Sequence, residues 1–222
     1  MTADQILRRL RALRSDKNIA GMARFGISGG EMLGIPVPVL RTMAKETGRD
    51  QKLSLALWKT GVHEARLLAA ITGDPAQVTQ RQMDAWVKEF DSWDVCDQVC
   101  GNLFDRTPYA YDKAIRWARR KEEFVRRAGF ALMATLAVHD KKADDARFLV
   151  FFPLIETYAT DDRNFVKKAV NWALRQMGKR SAFLKAHAMR TGKRVLEIDA
   201  PSARWIARDA LRELGFPRSR RR

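Results

Sequence analysis

The chain has 222 residues, 46% of them hydrophobic, enough for one cored domain or a row of small stacked units. Its 42 Lys and Arg outnumber 26 Asp and Glu, and the net charge of +16 points to a polyanionic partner, with nucleic acid ahead of an acidic membrane surface or acidic protein. No apolar run approaches the roughly 18 residues of a membrane span, and "MTADQILRRLRAL" has no apolar signal core, so a cytoplasmic chain without export is expected.

In chain order, Ile6, Leu7, Leu10 and Leu13 form one apolar stripe with arginines opposite, which predicts a first helix. Apolar residues then recur at three and four over 37–48, 51–60, 63–72, 79–90, 93–105, 108–119, 122–139, 144–158, 162–178, 180–189 and 202–214. Glycine and proline punctuate the pattern at "ISGGEMLGIP", "GDP", "RTP", "FFP" and "TGKR". No stretch alternates as a strand would. The prediction is an all-α chain of about a dozen short helices, one domain over 1–215, with 216–222 as a basic tail expected to be disordered.

The pattern also repeats. "EFVRRAGFALMATLAVHD" from Glu123 resembles "NFVKKAVNWALRQMGKR" from Asn164, with Phe124 and Phe165 in register; "HEARLLAAITG" and "SARWIARDALRELG" are looser copies. A repeat of about 35–41 residues with two helices predicts a HEAT-like helical solenoid whose inner helices line a concave face. The pairs Arg126-Arg127 and Lys167-Lys168 would recur along that face and make a basic groove suited to a nucleic-acid backbone. The same charges also suit a solvated helix face.

One stretch runs against the charge. "FDSWDVCDQVCGNLF" (90–104) holds Asp91, Asp94 and Asp97 and no cation. On a helix over 93–105, Ser92 is placed to cap and Asp94 to face the positive end of the helix dipole. Trp93 and Asp97 lie one turn apart on one face. A carboxylate in a basic groove repels phosphate, and becomes useful where positive charge develops during chemistry; a structural ion pair with a nearby arginine is the plain alternative. Cys96 and Cys100 are four apart, a spacing unsuited to a disulfide within one helix, and read as buried thiols rather than metal ligands, since His63, His139 and His187 are scattered. No metal or other cofactor is expected. Trp58, Trp86 and Trp117 read as core. Glu64 and Arg66 suit either the groove or a buried interhelical pair.

"SWDVCD", "VRRAG" and "KKAVNWALRQ", with "ARFGISGGEMLGIPVPVLR" and "HEARLLAA" upstream, resemble the bacterial AlkD-type DNA alkylation repair proteins, which are HEAT-like-repeat DNA glycosylases. The resemblance spans about residues 20–180. It implies that Asp97 is the catalytic carboxylate, that Trp93 and Trp172 are the cleft tryptophans, and that Arg127 contacts the DNA backbone at the lesion. Arg126 is the rival of Arg127, about 100° away on the helix. Lys167, Lys168 and Arg175 are further phosphate-contact candidates. "GMARFGI" lacks the tyrosine that some relatives carry near the first cleft helix. The implied function is a monomeric, cofactor-free, monofunctional glycosylase acting without base flipping on cationic N3- or N7-alkylpurines in duplex DNA, at the nucleoid. A non-catalytic protein recognising bent, branched or damaged DNA, and a scaffold for an acidic protein, are the alternatives.

Overall fold

The structure, a computed structural model, describes residues 1–215; the basic tail predicted at 216–222 lies outside the described residues. Among the described residues there are thirteen α-helices and no strand, and the chain divides into two compact units, Met1–Thr107 and Pro108–Arg222. No described helix is long and apolar enough to cross a membrane. The 26 acids divide evenly between the units, but 27 of the 42 Lys and Arg fall in the second.

The first unit contains α1 (Ala3–Ala12), α2 (Asp16–Ala23), α3 (Val37–Thr47), α4 (Gln51–Lys59), α5 (His63–Thr72), α6 (Gln80–Trp86) and α7 (Trp93–Asn102). Local chemistry starts several of them. Thr2 and Gln5 form a reciprocal capping box on α1, and the side chains of Asp50 and Thr79 cap α4 and α6. The second helix has only Ile19 and Met22 as large apolar residues, both half-buried, and buries no residue fully, so its stripe is too short for periodicity to mark it; Ser15 caps it by accepting from the amide of Asn18.

What holds α2 is the loop after it. The carboxylate of Glu64, fully buried on α5, accepts the backbone amides of Leu33 (2.8 Å), Gly34 (2.6 Å) and Ile35 (3.2 Å). Asn18 then donates to the carbonyl of Gly34 at 2.8 Å, and the amide of Ser15 to that of Leu33 at 2.8 Å. Gly34 has φ +72°, and a Cβ there would sit 2.5 Å from the carbonyl oxygen of Ser15, so both conformation and space require glycine. Glu64 is therefore the anchor of the loop. Arg66 turns to Glu89 (3.0 Å) and lies 4.9 Å from the Trp58 ring, which stacks on Trp86 at 4.0 Å. Trp58 and Trp86 are core as expected, and so is Trp117 in the second unit.

The second unit contains α8 (Ala110–Ala118), α9 (Glu123–His139), α10 (Phe152–Tyr158), α11 (Asn164–Arg180), α12 (Ala182–Leu196) and α13 (Pro201–Glu213). Helix α9 packs against α8 and α11, and α11 against α12 and α13. Twelve of the 17 residues of α9 are buried. Gly129 permits this, because a Cβ there would meet the Ala118 amide nitrogen at 2.3 Å. The predicted repeat is visible in the rings of Phe124 and Phe165, which stack at 5.5 Å. The glycine in "TGKR" predicts a break, yet α12 runs through it. Thr191 and Gly192 point inward, and the missing side chain of Gly192 lets Leu211 of α13 approach to what would be 3.0 Å from a Cβ.

Candidate nucleic-acid site

Helix α7 opens on Trp93, and Asp97 is its fifth residue; both side chains are half-buried. The indole N–H of Trp93 donates to the carbonyl of Phe25 at 3.0 Å, which ties the start of α7 to the chain just beyond α2. Behind them Val95, Cys96, Val99 and Cys100 are buried. The two are thiols and not a disulfide, and burial pushes that of Cys100 well above its ordinary range. No cluster of three or more His, Cys, Asp or Glu able to hold a metal occurs among the described residues.

The start of α7 differs from the expected cap. Ser92 occupies the N-cap position, but its hydroxyl donates to Oδ1 of Asp94 and accepts no helix amide. Asp94 takes over that end. Its Oδ2 lies 2.8 Å from Nε2 of His63 on α5, and it also accepts the amide of Val95. Burial alone would raise the Asp94 carboxyl; the bonds from His63, Ser92 and Val95 outweigh it and hold the group below its ordinary range. Burial likewise opposes charge on His63, but Asp94, with Glu64 and Asp91, outweighs it and holds the imidazole above its ordinary range. Because Ser92 and His63 bond to the two oxygens of one carboxylate, the hydroxyl is not activated by the imidazole. A cavity of about 510 Å³ opens beside this network, with Met22, Phe25, Ile35 and Leu67 in its walls and His63 and Asp94 at its edge. No feature of the sequence pairs His63 with Asp94, 31 residues further on; only the packing of α5 on α7 does so.

The candidates in the second unit sit on α9 and α11. Counted from the first residue of each helix, Arg127 is fifth on α9, Lys168 fifth on α11, and Trp172 ninth on α11, one turn beyond Lys168. Asp97 holds the same fifth position on α7. Arg127 is buried, and its Nη1 donates to the carbonyl of Phe165 at 2.6 Å. Arg126 is also largely enclosed; it meets Asp161 at 2.5 Å and lies 4.4 Å from the Tyr158 ring. Arg175 pairs with Asp209 (3.8 Å) and with Glu213. Lys167 has its ammonium 5.2 Å from the centre of the Trp205 ring, and Lys168 is exposed. Trp172 is half-buried. Among the described residues Arg126 and Arg175 are thus matched by acids, whereas Lys167 and Lys168 have no acidic partner.

Paired helices repeated in this register define a HEAT-like repeat protein, and a solved structure agrees. It covers 98% of this chain and 98% of its own, at 20% identity and a TM-score of 0.79. That structure is described as a new family of proteins related to the HEAT-like repeat DNA glycosylases with affinity for branched DNA structures. No curated protein matches the chain. The chain belongs to the family described as DNA alkylation repair enzyme, whose pattern it matches over residues 6–214.

Proposed function

We propose that the chain is a monofunctional AlkD-type glycosylase that removes positively charged N3- or N7-alkylpurines from duplex DNA without flipping the base. The observation that carries this reading is Trp93 and Asp97, one turn apart on α7 in a chain whose family match spans residues 6–214. The shared register of Asp97, Arg127 and Lys168, and the excess of cations in the second unit, support it.

The chemistry follows from the leaving group. A cationic alkylpurine departs with the electrons of the N-glycosidic bond and becomes neutral, so no strong general acid is needed. The sugar becomes an oxocarbenium-like cation. The carboxylate of Asp97 opposes that charge and takes the proton of the attacking water, whose oxygen bonds to the anomeric carbon. The faces of Trp93 and Trp172 favour the cationic sugar. Lys167 and Lys168 hold backbone phosphates and set register without reading sequence; Arg127, buried and bonded to the Phe165 carbonyl, and Arg126 and Arg175, paired with carboxylates, join them where phosphate competes with those partners. No lysine acts as a Schiff-base nucleophile in this scheme, so the product is an intact abasic site.

The test is release of 7-methylguanine and 3-methyladenine from methylated duplex DNA by the wild type and by Asp97→Asn. Release by the wild type, with loss of release but retained binding in the variant, is the expected result. A second reading is a non-catalytic protein for bent or branched DNA, favoured by the affinity described for the similar solved structure. Wild-type protein that binds DNA and releases neither base would establish it over the enzyme.

A further inference from the structure

The fifth helical position carries Asp97 on α7, Arg127 on α9 and Lys168 on α11, and on α13 it carries Trp205. The equivalence of the last two helices is written in the sequence: "ALRQMG" from Ala173 and "ALRELG" from Ala210 are 37 apart, as are the starts of α11 and α13 at Asn164 and Pro201. An indole therefore stands where the preceding two repeats place a cation.

Its surroundings are those of a stacking platform. Trp205 is a large ring with 41% of its surface exposed, rare in a chain whose other tryptophans are buried or half-buried. The ammonium of Lys167 lies 5.2 Å from its ring centre. A cavity of about 380 Å³ adjoins it, lined by Pro201, Arg204, Trp205, Arg208, Asp209 and Arg212. Arg204, Arg208 and Arg212 recur every four residues along α13, and Trp205, about 100° round the helix from Arg204, lies three before Arg208, so the four share one broad face. Asp209, the acid in the cavity, is matched by Arg175 and Arg212. Among the described residues Arg204 pairs only with Asp199, an almost fully exposed side chain, and Arg208 and Lys167 have no acidic partner.

We infer that this face of α13 binds an unpaired nucleobase, stacked on Trp205, with the flanking phosphates held by Lys167, Arg204 and Arg208. Cations alone favour any duplex. An exposed indole between them adds a term that only an unstacked base collects, because every base has a face and duplex bases are already stacked. The site therefore discriminates for frayed, single-stranded or branched DNA. The inference rests on the nucleic-acid binding in the proposed function, and is independent of its chemistry.

The experiment compares fluorescence anisotropy titrations of a fluorescein-labelled blunt duplex and of the same duplex with a single-stranded overhang. The readout is the ratio of the two affinities. The wild type is expected to prefer the overhang by roughly tenfold, the ratio for Trp205→Ala to fall close to one, and Trp205→Phe to keep most of the preference. Circular dichroism of the variants excludes unfolding as the cause, and Trp205→Phe retains a ring in place. No preference in the wild type, or an undiminished ratio in Trp205→Ala, would overturn the site. Base release by the wild type separates the two readings: overhang preference without release leaves this site standing and removes the glycosylase, whereas no DNA binding at all removes both.

Discussion

His63 on α5 and Asp94 on α7 meet at 2.8 Å and pin the two helices together at the start of α7. The pair gives stability a defined pH window. The folded His63 value is raised, so its contribution is complete below the unfolded imidazole range near 6.5 and is lost as pH rises through the raised value. The folded Asp94 value is depressed, so its contribution is complete above the unfolded carboxyl range near 3.8 and is lost as pH falls through the depressed value. Between those limits both halves act. Urea unfolding is expected to show wild type losing stability, as pH rises above the ordinary imidazole range, by more than His63→Asn does over the same range; equal slopes would remove the pair as the cause.

Glu64 predicts a larger effect on folding. Replacing it with Ala leaves the amides of Leu33, Gly34 and Ile35 without their buried acceptor, at about 3 kcal/mol or more. Glu64→Gln keeps one acceptor oxygen and should lose less. Gly34→Ala should destabilise the same loop by the backbone route, through its positive φ and the approach of the Ser15 carbonyl. Denaturant midpoints of the three variants check the order.

The helices were legible in the sequence wherever a stripe of apolar residues faces a core, as on α1, α5 and α9. Where burial does not come from a stripe, periodicity is silent. Helix α2 buries no residue fully, and its two large apolar residues, Ile19 and Met22, are too few to form a recognisable stripe. "TGKR" looks like punctuation because glycine usually ends helices, but Gly192 serves helix packing instead. The nearness of Trp93 and Asp97 follows from spacing of four on one helix. The partner of Asp94, the carbonyl held by Trp93 and the three amides on Glu64 are set by contacts 29 to 68 residues apart, which no local pattern encodes.

The hydrogen bond from Trp93 to the Phe25 carbonyl predicts a separation of ring face from ring edge. In Trp93→Phe the face remains and the donor is lost. If the indole acts through its face, with its edge only fixing orientation, base release should fall by roughly tenfold, whereas Trp93→Ala should cost about a hundredfold. Single-turnover release of 7-methylguanine measures both. Equal losses would mean that the bond to Phe25, and not the ring face, supports the chemistry.

Two cations on adjacent repeats should behave oppositely in salt. Lys168 is exposed and has no acidic partner among the described residues, so a phosphate it binds displaces only counterions. Lys168→Ala should weaken duplex binding and lower the slope of log affinity against log salt by about one. Arg126 is already matched by Asp161, whose carboxyl lies below its ordinary range because the bonds from Arg163 and Arg126 outweigh its burial. Capturing a phosphate there would strip a largely buried acid of its partner. Arg126→Ala should therefore leave the salt slope nearly unchanged and lower folding stability by about 2 kcal/mol, since Asp161 retains Arg163 alone. Salt-dependent anisotropy and urea unfolding of the two variants decide the matter. A slope lowered by about one in Arg126→Ala would mean that DNA displaces Asp161 and that the buried pair opens on binding.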